Sequence, residues 1–345
     1  MSDTLTQILP GSVRENAQVD ALLEEEGIRR DGNLDYTCGL FDEDWNLIAT
    51  GSCFHNTLRC LAVSHTRQGE GLLNQIIGHL MEVQMQRGNS HLFLYTKPNS
   101  AKFMADLGFL EISRVPGKLV FMENRRGGFQ RYCGGLQKVE GKKIAGIVMN
   151  ANPFTNGHKH LVETAAKEND AVHLFVLSEE AGPIPFAVRK RLVKEGVAHL
   201  PNVAVHDSGP YIISSATFPS YFLKDGDTVI RAQAELDLRV FGKIAERLGI
   251  QRRYVGEEKR SHVTALYNEV MLKKLPEMGI ECIEIPRLAA GGQSISASTV
   301  RQAICDGKLE DIKDWIPDTT YAFFAGEEGA AVREAIRAET NLIHY

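Results

Sequence analysis

The stretch Asn150-Ala151-Asn152-Pro153-Phe154-Thr155-Asn156-Gly157-His158 decides the fold. It follows the strand-like run IAGIVM and leads into HKHLVETAAKEN, which reads as a helix. The same alternation continues downstream. AVHLFVLS, VAVHDSG, RRYVGEE and IECIEIPRL read as strands. PFAVRKRLVKEGVAHL, with its Lys and Arg on the outer face, reads as a helix, as do the core of TVIRAQAELDLRVFGKIAERLG, VTALYNEVMLKKL and SASTVRQAICDG. That βαβα rhythm predicts a doubly wound, Rossmann-like α/β domain with a parallel sheet.

Upstream the pattern differs. YTCGLFDEDWNLIATGSCF reads as a hairpin with its turn at Asp42 to Asn46. TLRCLAVS runs into a Gly-containing turn, Thr66 to Gly71, and Leu72, Leu73, Ile76, Ile77, Leu80 and Met81 then share one helical face. HLFLYT is a strand, AKFMADLGF a short helix ending at Gly108, and LVFMEN a strand. This is an α+β block. The Gly- and Lys/Arg-rich stretch NRRGGFQRYCGGLQKVEGKK joins the two, giving expected boundaries of 1–123, a connector over 124–143, and 144–345.

Composition narrows the possibilities. A chain of 345 residues is about twice a typical domain of roughly 150 residues. With 43% hydrophobic and 24% charged residues it has enough apolar material for real cores. The formal net charge of -5 gives no basic excess for nucleic acid. No apolar run approaches the roughly 18 residues of a membrane helix, and the first residues lack a signal-peptide pattern. Six cysteines lie scattered without a CxxC pair, which argues against a zinc ribbon or a disulfide scaffold. A cytoplasmic location without membrane partners is the expectation.

The chemistry concentrates at two turns. In open α/β sheets ligands bind at the carboxyl ends of strands, where helix N-termini attract phosphate. Thr155 and His158, three apart, project on one side of such a turn. A hydroxyl and an imidazole there suit a phosphate oxygen, and a protonated His158 would stabilise charge developing on phosphorus. Asn-Pro and Asn-Gly are equally plain turn formers. Ser294-Ile295-Ser296-Ala297-Ser298-Thr299-Val300-Arg301 is the second turn. Its hydroxyls suit a helix cap, and Arg301 would sit unfavourably near a positive helix end unless an anion joins it. Lys159 and His160 fit either the site or a solvated helix face. Gly256-Glu257-Glu258 fits either a ligand-facing strand end or an exposed turn. No metal-binding side chains are expected.

Taken as a pair, the two turns resemble the nucleotidyltransferase superfamily with its HxGH and ISxxxxR signatures: Thr155-Asn156-Gly157-His158 matches the T-x-G-H form and Ile295-Ser296 to Arg301 the second signature. The resemblance implies ATP with Mg2+, attack of a substrate oxygen on the α-phosphorus, and pyrophosphate as leaving group. It implies that Asn152, Pro153, Phe154, Thr155, Gly157, His158, Gly256, Glu257, Ile295, Ser296, Ser298, Thr299 and Arg301 bind ATP, with His158, Thr155 and Arg301 catalytic. VSHTRQGEGLLNQIIGHL and AKFMADLGF resemble the GCN5-related acetyltransferase fold, in which a Gly-rich turn holds the pyrophosphate of coenzyme A. Arg67, Gly69 and Gly71 correspond to that turn. Thr66 stands where the pattern has Gln or Arg, which counts against an independent acetyltransferase.

The order of the blocks, MNANPFTNGHKHLVETA and YVGEEKRSHVTALYNEVM together resemble the citrate lyase ligase family. That resemblance implies acetylation, by acetate and ATP through acetyl-adenylate, of the thiol on the CoA-like phosphoribosyl-dephospho-CoA arm of citrate lyase's acyl carrier subunit. Three other readings compete: an adenylyltransferase acting on phosphopantetheine or a nicotinamide nucleotide, an acetyl-CoA-dependent acetyltransferase, and a non-catalytic nucleotide sensor.

Overall fold

The computed structural model describes residues 3–180, 182–212, 226–258, 261–290 and 293–339, with Ala289, Ala290, Gln293 and Ser294 given as backbone only. The chain divides into two compact units. The first runs to Gln130 and takes in the opening of one long helix as far as Ala232; the second holds the remainder.

The first unit is built on a seven-stranded sheet in the order β1-β2-β3-β4-β5-β7-β6. Its strands are β1 (Thr4–Gln7), β2 (Tyr36–Phe41), β3 (Leu47–Phe54), β4 (Thr57–Val63), β5 (Phe93–Thr96), β6 (Leu110–Val115) and β7 (Leu119–Glu123). The hairpin turn forms as expected: the Asp42 carboxylate accepts from the backbone N–H groups of Asp44 and Asn46, at 3.0 and 2.8 Å. Helix α1 (Val13–Glu25) packs on one cluster with Phe41 and Leu47. α2 (Leu72–Gln86) buries Leu72, Ile76, Ile77 and Leu80, most of the face its spacing predicts. α3 (Ala101–Asp106) ends before Gly108, whose φ is +90°. Neighbours β4 and β5 run parallel and pair only at Thr57 with Phe93 and Leu58 with Leu94. Beyond Leu58 they no longer pair with each other. β1, α1 and β6 are additions to the elements expected from sequence. Within the expected connector, Gly128–Gly135 forms helix α4.

The second unit carries a five-stranded, wholly parallel sheet: β8 (Ile144–Met149), β9 (Ala171–Val176), β10 (Val203–Asp207), β11 (Arg252–Gly256) and β12 (Glu281–Ile285). Their order is β10-β9-β8-β11-β12, so the chain reverses direction across the sheet at β8. β9 is buried along its whole length, which is why it reads as an apolar run, with His173 the one polar residue in it. The helices are α5 (Asn156–Glu168), α6 (Phe186–Gly196), α7 (Gly226–Leu248), α8 (His262–Glu277), α9 (Ala297–Cys305), α10 (Asp318–Ala325) and α11 (Ala330–Ala338). A short antiparallel pair, β13 (Ala289–Ala290) and β14 (Gln293–Ser294), precedes α9. α10 and α11 were not expected; Phe323, Phe324, Val332 and Ile336 join them to the core around Phe154 and Val162. The doubly wound sheet therefore places the first turn on the carboxyl edge of β8, at the point of reversal.

Candidate active site

The first turn is fixed by its own side chains. Thr155 is the N-cap of α5, and its hydroxyl accepts from the His158 backbone N–H at 3.3 Å. In return His158 Nδ1 accepts from the Thr155 backbone N–H at 3.1 Å. The imidazole thus takes the place that Glu or Gln holds in a common capping box. Because Nδ1 is an acceptor, the neutral ring carries its proton on Nε2. Nε2 donates to no partner among the described residues. Phe154 is fully buried and stacks on the His158 ring at 6.0 Å between centroids. Its side chain serves the core, leaving its backbone for any ligand.

Burial pushes the His158 imidazole down to about 4, and the positive charge of Arg287 adds to that. Burial and Arg287 thus favour the neutral ring, with Nε2–H free to act as a donor.

The second turn repeats the device. Ser296 caps α9, its hydroxyl accepting from the Thr299 N–H at 3.1 Å, while Thr299 Oγ1 accepts from the Ser296 N–H at 3.2 Å. Ser298 Oγ lies 3.0 Å from Ser296 Oγ. Ile295 is buried. Arg301 reaches back from α9 and donates to the Asn152 carbonyl at 2.5 Å. Its Nε is buried with no hydrogen-bond partner among the described residues. A Cβ at Gly157 would sit 3.7 Å from the Ile295 carbonyl, in ordinary contact. Glycine there is thus not required by the protein's own packing. It leaves room beside the α5 N-terminus, in keeping with close approach of a ligand. Asn152, Thr155, Gly157, His158, Ile295, Ser296, Thr299 and Arg301 are accordingly brought together, and Asn152–Pro153 is a cis peptide.

Around this centre the remaining residues sort differently. Gly256 ends β11 with open space at its Cα. The Glu257 carbonyl accepts from Arg287 Nε at 2.8 Å, and Glu258 forms an ion pair with the same guanidinium. Lys159 lies 3.8 Å from Glu163, one turn along α5. In the first unit, Gly69 and Gly71 have φ of +90° and +76°, a backbone that favours glycine. Arg67 is held by Glu70 at 2.7 Å and by Asp3 at 3.3 Å.

Three residues escaped sequence reading. Arg287 supplies a second cation near His158. Arg189, expected on the outer face of α6, is instead fully buried. Its Nη1 donates to Asn150 O and Oδ1, both at 2.8 Å, and to Leu177 O at 2.9 Å; its Nε donates to Ile184 O at 3.1 Å. Its Nη2 donates to the Glu179 carbonyl. The third is Glu179 itself, whose carboxyl burial raises to about 7. Only an unusually apolar position would have marked Arg189, since its partners are carbonyls from separate loops.

Comparison with known proteins identifies the family. The sequence model of the citrate lyase ligase C-terminal domain matches residues 144–324. The citrate (pro-3S)-lyase ligase of Escherichia coli (strain K12) is 37% identical over 330 residues, covering 92% of this chain and 93% of that protein. The enzyme of the same name from Haemophilus influenzae is 36% identical over 310 residues, covering 88% and 92%. That from Klebsiella pneumoniae is 34% identical over 324 residues, covering 92% and 94%. With the two turns inside the matched region and relatives aligned along nearly their full length, this chain belongs to the citrate lyase ligase family.

Proposed function

We propose that this chain activates citrate lyase by joining acetate to the thiol of the CoA-like arm on the lyase's acyl carrier subunit. The observation that carries this reading is the meeting of two capped helix N-termini, α5 and α9, with His158 and Arg301 beside them. Both ends offer backbone N–H groups to anions, and the buried, unpartnered Nε of Arg301 suits a phosphate oxygen.

In the first step an acetate oxygen attacks the α-phosphorus of ATP, forming acetyl-adenylate and releasing pyrophosphate. Thr155 and His158 Nε2–H meet the charge that grows on the phosphoryl oxygens. Arg301, Ser296, Ser298 and Thr299 hold the leaving β,γ-phosphates, and Asn152 with Pro153 shapes the turn. Gly256 and Glu257 line the nucleotide side. Among the described residues no three His, Cys, Asp or Glu side chains gather as a metal site. Mg2+ bound with the nucleotide would supply charge neutralisation at the phosphates. In the second step the thiol attacks the acetyl carbon and AMP leaves.

The first unit would receive the arm. Supporting this are the Arg67 to Gly71 turn and the parting of β4 from β5 after Leu58. We keep 1–123 as the arm-binding part, 124–143 as connector and 144–345 as the ligase part, in a cytoplasmic protein. No helix among the described residues is long and apolar enough to cross a membrane.

The test is acetate-dependent pyrophosphate release from Mg-ATP, with hydroxylamine trapping the acyl-adenylate. Acetyl-hydroxamate formation is the expected result. Pyrophosphate release indifferent to acetate would reject the reading.

A further inference from the structure

The carboxyl edge of the parallel sheet holds two phosphate-directed turns, one after β8 and one leading from β12 into α9. Neither claims the loop after β9, on the other flank of β8. That loop contains Glu179, half-buried, whose Oε2 is enclosed and has no hydrogen-bond partner among the described residues. Buried carboxylate oxygens are normally satisfied, so an unsatisfied one beside a catalytic turn calls for a role.

The loop is tied to that turn. Arg189 binds the Glu179 carbonyl and also both oxygens of Asn150, the residue that opens the turn ending at His158. Further along, a Cβ at Gly182 would stand 2.5 Å from Asn152 Nδ2, so the loop lies directly against the first signature. The charged groups near the Glu179 carboxyl are few. Arg189 reaches it from α6, while the adjacent Glu180 turns its own carboxylate onto the Phe186 N–H at 2.9 Å. Burial outweighs Arg189, and the Glu179 carboxyl rises to about 7.

We infer that Glu179 accepts the proton of the attacking thiol in the second half-reaction. This rests on the ligase reading given above. The nucleotide signatures occupy β8 and the β12–α9 side, which leaves the β9 flank for the acceptor. As the thiol approaches, its S–H proton passes to a Glu179 carboxylate oxygen and sulfur bonds to the acetyl carbon. The bond from that carbon to the adenylate oxygen breaks, and AMP leaves with the electron pair. The proton then passes to water. The arm's alkyl thiol is mostly protonated at neutral pH, and a base titrating near the working pH is well matched to it. The first half-reaction needs no such base, because acetate attacks as an anion.

The experiment compares the full-length wild type with Glu179→Gln in both halves. Acetyl-hydroxamate formation reports the first, and acetylation of thiol-form citrate lyase the second. The expected result is hydroxamate formation within about twofold of wild type and transfer to the lyase lowered about 10²-fold or more. Wild-type transfer rises with pH through about 7. In the variant the rise moves up to the alkaline range in which the thiol itself ionises. Glu179→Asp, which keeps a carboxyl, restores part of the transfer and its pH dependence. Unchanged transfer in Glu179→Gln at pH 7 overturns the inference, as does an equal loss in both halves. Wild type that makes no acetate-dependent hydroxamate fails the ligase reading itself, and the inference falls with it.

Discussion

The helix N-terminus at α2 and those at α5 and α9 are built on opposite plans. Gly71 enters α2 in a left-handed conformation with no side-chain cap. The nearby Arg67 is bound by two carboxylates at the surface. At α5 and α9 the cap is a reciprocal pair of side chains, Thr155 with His158 and Ser296 with Thr299. The first plan offers bare backbone donors and an occupied cation. The second holds its functional side chains in place before any ligand arrives, so little reorganisation remains for the moment of reaction.

That contrast is broken or sharpened by substitution. The largest effect is expected at His158. His158→Ala lowers acetyl-hydroxamate formation by about 10²–10³-fold, the usual cost of one transition-state donor. A loss under about tenfold breaks the contrast, because the imidazole would then be only a cap. Next is Arg189→Met, which removes one donor group from carbonyls in four places. Leaving buried acceptors unsatisfied costs about 1–3 kcal/mol each, so a loss of about 3 kcal/mol in urea unfolding is expected. A change below about 1 kcal/mol removes Arg189 from its place as organiser of the turn.

Acid should weaken the second unit. His173 and His206 are hydrogen-bonded to each other at 2.8 Å, and burial pushes both down to about 4, as it does His158. The unfolded chain takes up these protons near 6.5, while the folded chain resists them to about 4. Stability is thus fully present above pH 6.5 and is lost as pH falls towards 4. Melting temperatures that stay level across that window contradict the assignment. Ser296→Ala is a smaller change, costing about 1 kcal/mol as a lost cap. Smallest is Arg67→Ala, expected to leave the melting temperature and hydroxamate formation unchanged and to weaken only transfer to the arm, by a few-fold. Loss of the first half-reaction in Arg67→Ala would show that the α2 terminus serves the chemistry directly.

The parallel sheet was readable because β8 is a short apolar run, and β9 one broken only by His173, between helical segments. The seven-stranded sheet was only partly so. β1 is four residues long, mostly polar and without a fully buried side chain, and β6 exposes Leu110 and Glu111. Neither carries the apolar signal that marks a strand. At the candidate site, Thr155, His158, Ser296 and Arg301 could be singled out because the two turns together resemble a paired signature. The charge of His158 could not, since it depends on burial and on Arg287, which is remote in sequence. Arg189 looked like ordinary helix-surface charge because the carbonyls that bind it meet only in the folded chain.

The Nδ1 bond from the Thr155 backbone bears on how the reaction finishes. A cationic imidazolium would hold free pyrophosphate about as firmly as it holds the transition state, and such uniform binding slows the exit of product without speeding chemistry. With Nδ1 committed as an acceptor, the ring contributes a dipole whose grip strengthens as phosphoryl charge builds and relaxes once the bond has broken. In the chemistry proposed above, that capping hydrogen bond would leave pyrophosphate freer to depart between the two halves of the turnover.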